Sequence, residues 1–224
     1  MMIYLLPILA VAFGFAFVVL FNPTIKSNLK LLLAFSGAFL LSITVFELIP
    51  HLYHDHNGKT VGLFIMLGIL LQIFLEFFSK GAEHGHVHVR KNNTVFPWLL
   101  FVSLSIHAVL EGFPIHGNEN LLYGIIIHKM PIAIILTSFF FASSLSTVKT
   151  IIFLTLFALM TPLGSYLSET VSFLTDYYTQ ISALVVGIFL HISTTILFES
   201  SEDHKFNFTK LIVILAAIGI AYFI

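Results

Sequence analysis

Ser105-Ile106-His107-Ala108-Val109-Leu110-Glu111-Gly112-Phe113-Pro114, read together with Ile127-His128-Lys129-Met130-Pro131, is the part of the chain on which its fold turns. Each stretch lies inside a long apolar run, where an ionisable side chain is costly and becomes a functional candidate. His107 and Glu111 are four residues apart, so on a helix they share one face. His128 and Lys129 fall in the next apolar run, expected to be the next antiparallel helix. Two imidazoles and a carboxylate converging in a dry interior suit a divalent metal ion. The plainer alternative is a His–Glu hydrogen bond that ties two helices together.

The composition fits that setting. Of 224 residues, 58% are hydrophobic and only 9% are charged, against about 25% charged in ordinary soluble domains. Mean hydropathy is +1.01, which describes a membrane protein with little outside the bilayer. A net charge of -1 gives no case for nucleic-acid binding. The absence of cysteine excludes disulfides, thiolate metal sites and iron–sulfur clusters. Eleven histidines against ten Lys plus Arg hint at transition-metal handling.

Crossing the hydrocarbon core takes about 20 apolar residues, and eight runs meet that rule: 3–21, 27–50, 60–79, 95–115, 121–142, 148–167, 181–198 and 209–224. The first has no basic residue before Lys26 and is expected to be a retained helix rather than a cleaved signal. With the N-terminus outside, Lys26, Lys30, Lys80, Arg90, Lys91, Lys149, Lys205 and Lys210 all gather on the cytoplasmic side, and only Lys59 lies opposite. The positive-inside rule therefore predicts both termini outside. The expected fold is all-α: one transmembrane domain over 1–224, an eight-helix bundle with a His-rich cytoplasmic loop at 80–94. Short loops predict that successive helices pack as antiparallel neighbours.

Pro114 cannot donate to the carbonyl of Leu110, and Pro131 cannot donate to that of Ile127, so both helices are predicted to bend with a freed oxygen. Loosened backbone beside buried polar groups is how transporters build a midplane site. Lys129 has several readings. It pairs with Glu111, flanks the site, takes the place of a second cation, or snorkels to the headgroups.

Elsewhere, Glu47, His51 and His54 form one stripe, with Asp55 beside it, if the second helix continues past Pro50. That stripe is either a cation-attracting outer mouth or a solvated helix end. His84, His86 and His88 alternate in the cytoplasmic loop, a pattern that binds Zn²⁺ weakly because the loop must order on binding. His191, near Ser193, Thr194 and Thr195, reads as a buried histidine bonded to a neighbouring hydroxyl, with a metal role as the alternative. Glu199, with Glu202, Asp203 and His204, is a candidate exit cluster.

Taken together, these residues resemble the ZIP (Zrt/Irt-like) family of divalent-metal transporters over essentially the whole chain. His107-Ala-Val-Leu-Glu111-Gly112 is similar to the family's fourth-helix pattern His-x-x-x-Glu-Gly. His128-Lys129-x-Pro131 is similar to the start of its fifth-helix pattern. Phe35-Ser-Gly-Ala through Glu47-Leu-Ile-Pro50 resembles the second helix, and Thr161-Pro-Leu-Gly164 the Pro-Leu-Gly of the sixth. The resemblance implies that His107, Glu111 and His128 are transport-site ligands. It also shows departures. Ile132 and Ala133 stand where many members carry a second His or Glu, and Thr194 and Thr195 where several carry an acid on the seventh helix. A mononuclear site is implied, with Lys129 in or near the second metal's position.

The function expected is import of Zn²⁺, or of Fe²⁺ or Mn²⁺, as transported substrate across an inner or plasma membrane. The expected partners are the metal ion, the lipid bilayer and a second copy in a homodimer, with no nucleic acid and no enzymatic activity. Two rivals stand beside it: an intramembrane metal-dependent hydrolase with Glu111 as base and Lys129 steadying an oxyanion, and a non-transporting metal sensor or structural subunit.

Overall fold

The structure, a computed structural model, describes residues 1–21, 28–54, 57–79, 95–143, 145–199 and 208–224. Every element among them is helical: α1 (Met2–Phe21), α2 (Asn28–Ile43), α3 (Ile49–His54), α4 (Gly58–Ser79), α5 (Trp98–Gly112), α6 (Asn120–Ala142), α7 (Thr147–Thr170), α8 (Ser172–Asp176), α9 (Tyr178–Glu199) and α10 (Phe208–Tyr222). A π-helical turn over Thr44–Leu48 joins α2 to α3, and a 3-10 turn over Phe113–Gly117 extends α5. Among the described residues, seven helices are long and apolar enough to cross a membrane, with α10 a shorter apolar helix. Many large apolar side chains point outward, such as Phe13, Leu70, Phe74 and Phe77, as expected where the surrounding solvent is lipid. The chain is an integral, multi-pass helical membrane protein.

The predicted spans and the observed helices coincide closely, but their neighbours do not. Successive packing holds for α4 and α5, but the most extensive contacts join α1 to α6, α4 to α9, α5 to α7, and α2 to α10. The reason is that lipid supplies no hydrophobic drive between helices, so partners are selected by small residues that allow close backbone approach. Gly112 of α5 and Gly164 of α7 show it at the site: a Cβ on Gly112 would fall on the Thr161 carbonyl, and one on Gly164 on the Val109 carbonyl. Ser165 Oγ donates to Gly112 O at 2.7 Å across the same crossing.

Two apolar cores result. One joins Leu104, Ala108, Ile132, Leu136, Phe153 and Phe157 from α5, α6 and α7, with Val11 from α1. The other joins Phe39, Leu40, Ile43, Val186, Phe189 and Ala217 from α2, α9 and α10, with Leu121 and Ile125 from α6. Helix α6 contributes to both, so it sits at the seam.

Pro114 acts differently from the sequence expectation. The Leu110 carbonyl is not freed by Pro114, because the Phe113 N–H donates to it as α5 tightens into the 3-10 turn. Helix α6 runs on through Pro131 to Ala142. The π turn at Thr44–Leu48 was not anticipated; it lies just before Pro50, whose missing N–H already interrupts the regular ladder. Replacing Gly112 or Gly164 with leucine should force α5 and α7 apart. The expected cost is about 1–3 kcal/mol or more, read as a lower unfolding temperature in detergent; an unchanged melt contradicts the packing described.

Candidate metal site

The four residues singled out in the apolar runs come together in the interior. His107, Glu111 and Lys129 are each 1% exposed and His128 is fully buried. Helix α5 supplies His107 and Glu111 one turn apart, α6 supplies His128 and Lys129, and α7 closes the third side with Phe157 and Thr161. Because α5 and α6 are not close backbone neighbours, the long side chains of Glu111 and Lys129 span the gap between them.

Glu111 divides its two oxygens. Oε1 meets Lys129 Nζ at 2.6 Å and accepts a hydrogen bond from Thr161 Oγ1 at 2.6 Å. Oε2 faces His107 Nε2 at 3.3 Å. The ammonium also lies 4.3 Å from the centre of the Phe157 ring, a cation–π contact that compensates part of its lost hydration. Of the readings open for Lys129, pairing with Glu111 is therefore the one observed, and snorkelling is not.

The His107–Glu111 distance bears on the chemistry. A good N–H···O bond is usually 2.7–3.2 Å, whereas two tetrahedral ligands on one Zn²⁺ lie about 3.3 Å apart. The observed 3.3 Å already matches the shared-ion spacing. The His107 and His128 ring centres are 6.4 Å apart and inclined at 70°. Two imidazoles on one tetrahedral ion would bring their centres to about 5 Å, so closure by roughly an ångström suffices. Among the described residues no three His, Asp or Glu side chains stand close enough to hold a metal ion as they are. After that closure His107 Nε2, Glu111 Oε2 and His128 would form one donor set, with the Oε1 contacts kept.

The remaining candidates are placed as follows. Glu47 lies in the π turn, half-buried, and α3 does carry on past Pro50 with His51 and His54 exposed. His84, His86 and His88 lie outside the described residues, as do Asp55, Glu202, Asp203 and His204. Glu199 ends α9, and its side chain is likewise outside what is described. His191 Nε2 is 2.7 Å from Glu76 Oε2 of α4, a partner the sequence reading did not name. The Thr194 hydroxyl instead donates to the Leu190 carbonyl at 2.6 Å, the usual local satisfaction of a threonine in an apolar helix.

Three participants were missed. Glu76 is the only acidic residue in α4, and the rule that singled out His107 would have found it. Thr161 had a weaker signal, a hydroxyl directly before a proline in a small-residue stretch. Phe157 had none, because an aromatic residue in an apolar helix is indistinguishable from core.

Fold and site together define a multi-pass helical membrane protein with a buried ion pair and two imidazoles at its centre. No family model matches the chain. It is similar to the zinc transporter ZIP1 of Danio rerio, 32% identical over 89 residues, which are 37% of this chain and 30% of that protein. It is also similar to protein zntD of Dictyostelium discoideum, 27% identical over 157 residues, 57% of this chain and 22% of that protein. The chain thus spans less than a third of the length of either relative.

Removing the Glu111 charge should strand the Lys129 ammonium in the interior. Glu111→Gln is expected to cost about 3–5 kcal/mol of stability, measured by thermal unfolding in micelles. Glu111→Gln combined with Lys129→Met should recover most of it, because the uncompensated charge is then gone. Equal melting of wild type and Glu111→Gln contradicts the ion pair.

Proposed function

We propose that the protein imports a divalent transition metal, Zn²⁺ first, across the membrane through a site made by His107, Glu111 and His128. The observation that carries this reading is the His107–Glu111 pair, set at a shared-ion spacing deep in the helices beside a second buried imidazole. Similarity to a protein named as a zinc transporter supports the choice of metal. Fe²⁺ and Mn²⁺ accept the same nitrogen and oxygen donors.

The arrangement we propose has eight crossings with both ends outside, as the bias of basic residues supports. Helix α10 has 15 residues, about 22 Å long and therefore short for a core of about 30 Å unless the bilayer thins around it. Glu47, His51 and His54 then face outward as a cation-attracting mouth, and loop 80–94 with His84, His86 and His88 receives ions on the cytoplasmic side. Lys129 stays on Glu111 Oε1 and stands where a second cation would otherwise bind, so one metal occupies the site at a time. Its positive charge keeps the hold on the metal modest, which favours release.

A metal-dependent hydrolase would need Glu111 free to take a proton, yet its Oε1 accepts from Thr161 and is paired with Lys129, and its Oε2 is the oxygen left to hold the metal. That favours transport. The test is flux into proteoliposomes containing a zinc-sensitive dye. Wild type should show uptake, and Glu111→Ala or His107→Ala should lower it by tenfold or more, about 1.4 kcal/mol in the transport barrier at least. Uptake unchanged in both variants rejects the site. Protons compete with the metal for imidazole and carboxylate, so wild-type uptake should weaken as the external pH falls from 7 toward about 5.5, through the range where histidine protonates. Uptake independent of pH contradicts direct histidine ligation.

A further inference from the structure

A second pair of metal-ligating side chains lies outside the site described above. Glu76 of α4 and His191 of α9 meet with Oε2 and Nε2 2.7 Å apart. Unlike the central residues they are partly exposed, 25% and 18% respectively. Before Glu199, His191 is the only ionisable side chain of α9 other than Tyr178, and Glu76 is the only acid of α4. Two helices have therefore each placed a single ligating group at the same point of their contact.

The pair's position is fixed relative to the central site. Ser103 Oγ of α5 donates to the Leu75 carbonyl of α4 at 2.6 Å, which sets Glu76 level with Ser103. Ser103 precedes His107 by one helical turn, about 6 Å along α5. On the orientation proposed above, that step is toward the cytoplasm and toward loop 80–94. Gln72, one turn earlier on α4, is fully buried and adds an amide on the side of Glu76 away from the cytoplasm.

We infer that Glu76 and His191 form a second, weaker cation station that takes the transported dication after it leaves His107, Glu111 and His128. This rests on the transport reading. The chemistry is consistent: a carboxylate oxygen and an imidazole nitrogen are both Zn²⁺ donors. Weakness follows from the geometry. Sharing an ion would require the two atoms to part from 2.7 Å to about 3.3 Å, breaking the hydrogen bond between them. The central site offers three protein donors and this pair two, so the ion passes from a stronger hold to a weaker one. A release-side station suits that order.

The chain contains no cysteine, so a single engineered thiol can be followed in it. In His191→Cys the thiol and Glu76 would still offer two donors. Zn²⁺ at about ten times its dissociation constant should then slow maleimide labelling of that thiol by about tenfold. Glu76→Ala in the same chain should abolish the protection, while His107→Ala should leave it in place. A labelling rate indifferent to Zn²⁺, or protection that persists without Glu76, overturns the proposal; a purely structural hydrogen bond gives no zinc-dependent protection. Should the double variant fail to fold, Glu76→Gln with His191→Cys, which preserves shape, is read in the same way. In the flux assay His191→Gln should reduce maximal uptake several-fold with little change in the apparent external KM. Absence of flux in wild type would defeat the transport reading, while the labelling result would still decide whether the station binds metal.

Discussion

The ion pair between Glu111 and Lys129 is the constraint on which the rest of the interior depends. Both groups are almost wholly buried, and neither could remain charged there alone. Two unit charges about 4 Å apart attract by about 4 kcal/mol at an effective dielectric constant of 20, and losing one partner of a buried pair costs about 3–5 kcal/mol. The pair is held from three helices: the carboxylate from α5, the ammonium from α6, and a hydroxyl and an aromatic face from α7. The glycine crossing of α5 on α7 brings Thr161 to within hydrogen-bond distance of Glu111. The backbone packing and the charge balance are in that sense one requirement.

The same pair shapes what the site can do. With Oε1 engaged by Lys129 and Thr161, Glu111 has one oxygen left to offer a metal, and that oxygen faces His107. The Glu111 and Lys129 charges offset each other, which makes their burial tolerable. On the transport reading proposed above, an arriving dication would meet a carboxylate already paired with one cation, which would moderate its affinity and favour single occupancy and release. Helix α6, which carries both residues, also belongs to both apolar cores, so movement between the two helix groups would be felt directly at His128 and Lys129.

Much of the fold was legible because lipid imposes a simple rule. Runs of about 20 apolar residues must be helices, and the predicted spans at 3–21, 60–79 and 121–142 match Met2–Phe21, Gly58–Ser79 and Asn120–Ala142. His107, Glu111, His128 and Lys129 were visible for the same reason: polar groups stand out in apolar sequence. Neighbour relations were not legible. They depend on which small residues meet, as where α4 lies on α9 and α1 on α6, and sequence order carries no trace of that choice. The π turn before Pro50 and the 3-10 turn after Gly112 were hidden too, because a proline announces an interruption without saying how the backbone resolves it. Glu76 was overlooked although its isolation in α4 was plain. His191 was then matched to nearby hydroxyls because sequence shows only near neighbours, whereas its partner is 115 residues away.

The central claim is that His107, Glu111 and His128 converge on one metal ion while Lys129 keeps its place on Glu111. Anomalous X-ray scattering at the zinc absorption edge, from crystals of the full chain soaked in Zn²⁺, tests it most directly. The account predicts one anomalous peak in the helix interior, about 2.0–2.2 Å from His107 Nε2, Glu111 Oε2 and a nitrogen of His128, with Lys129 Nζ still against Glu111 Oε1. Two peaks bridged by Glu111 with Lys129 displaced, or no peak between α5 and α6, would contradict it.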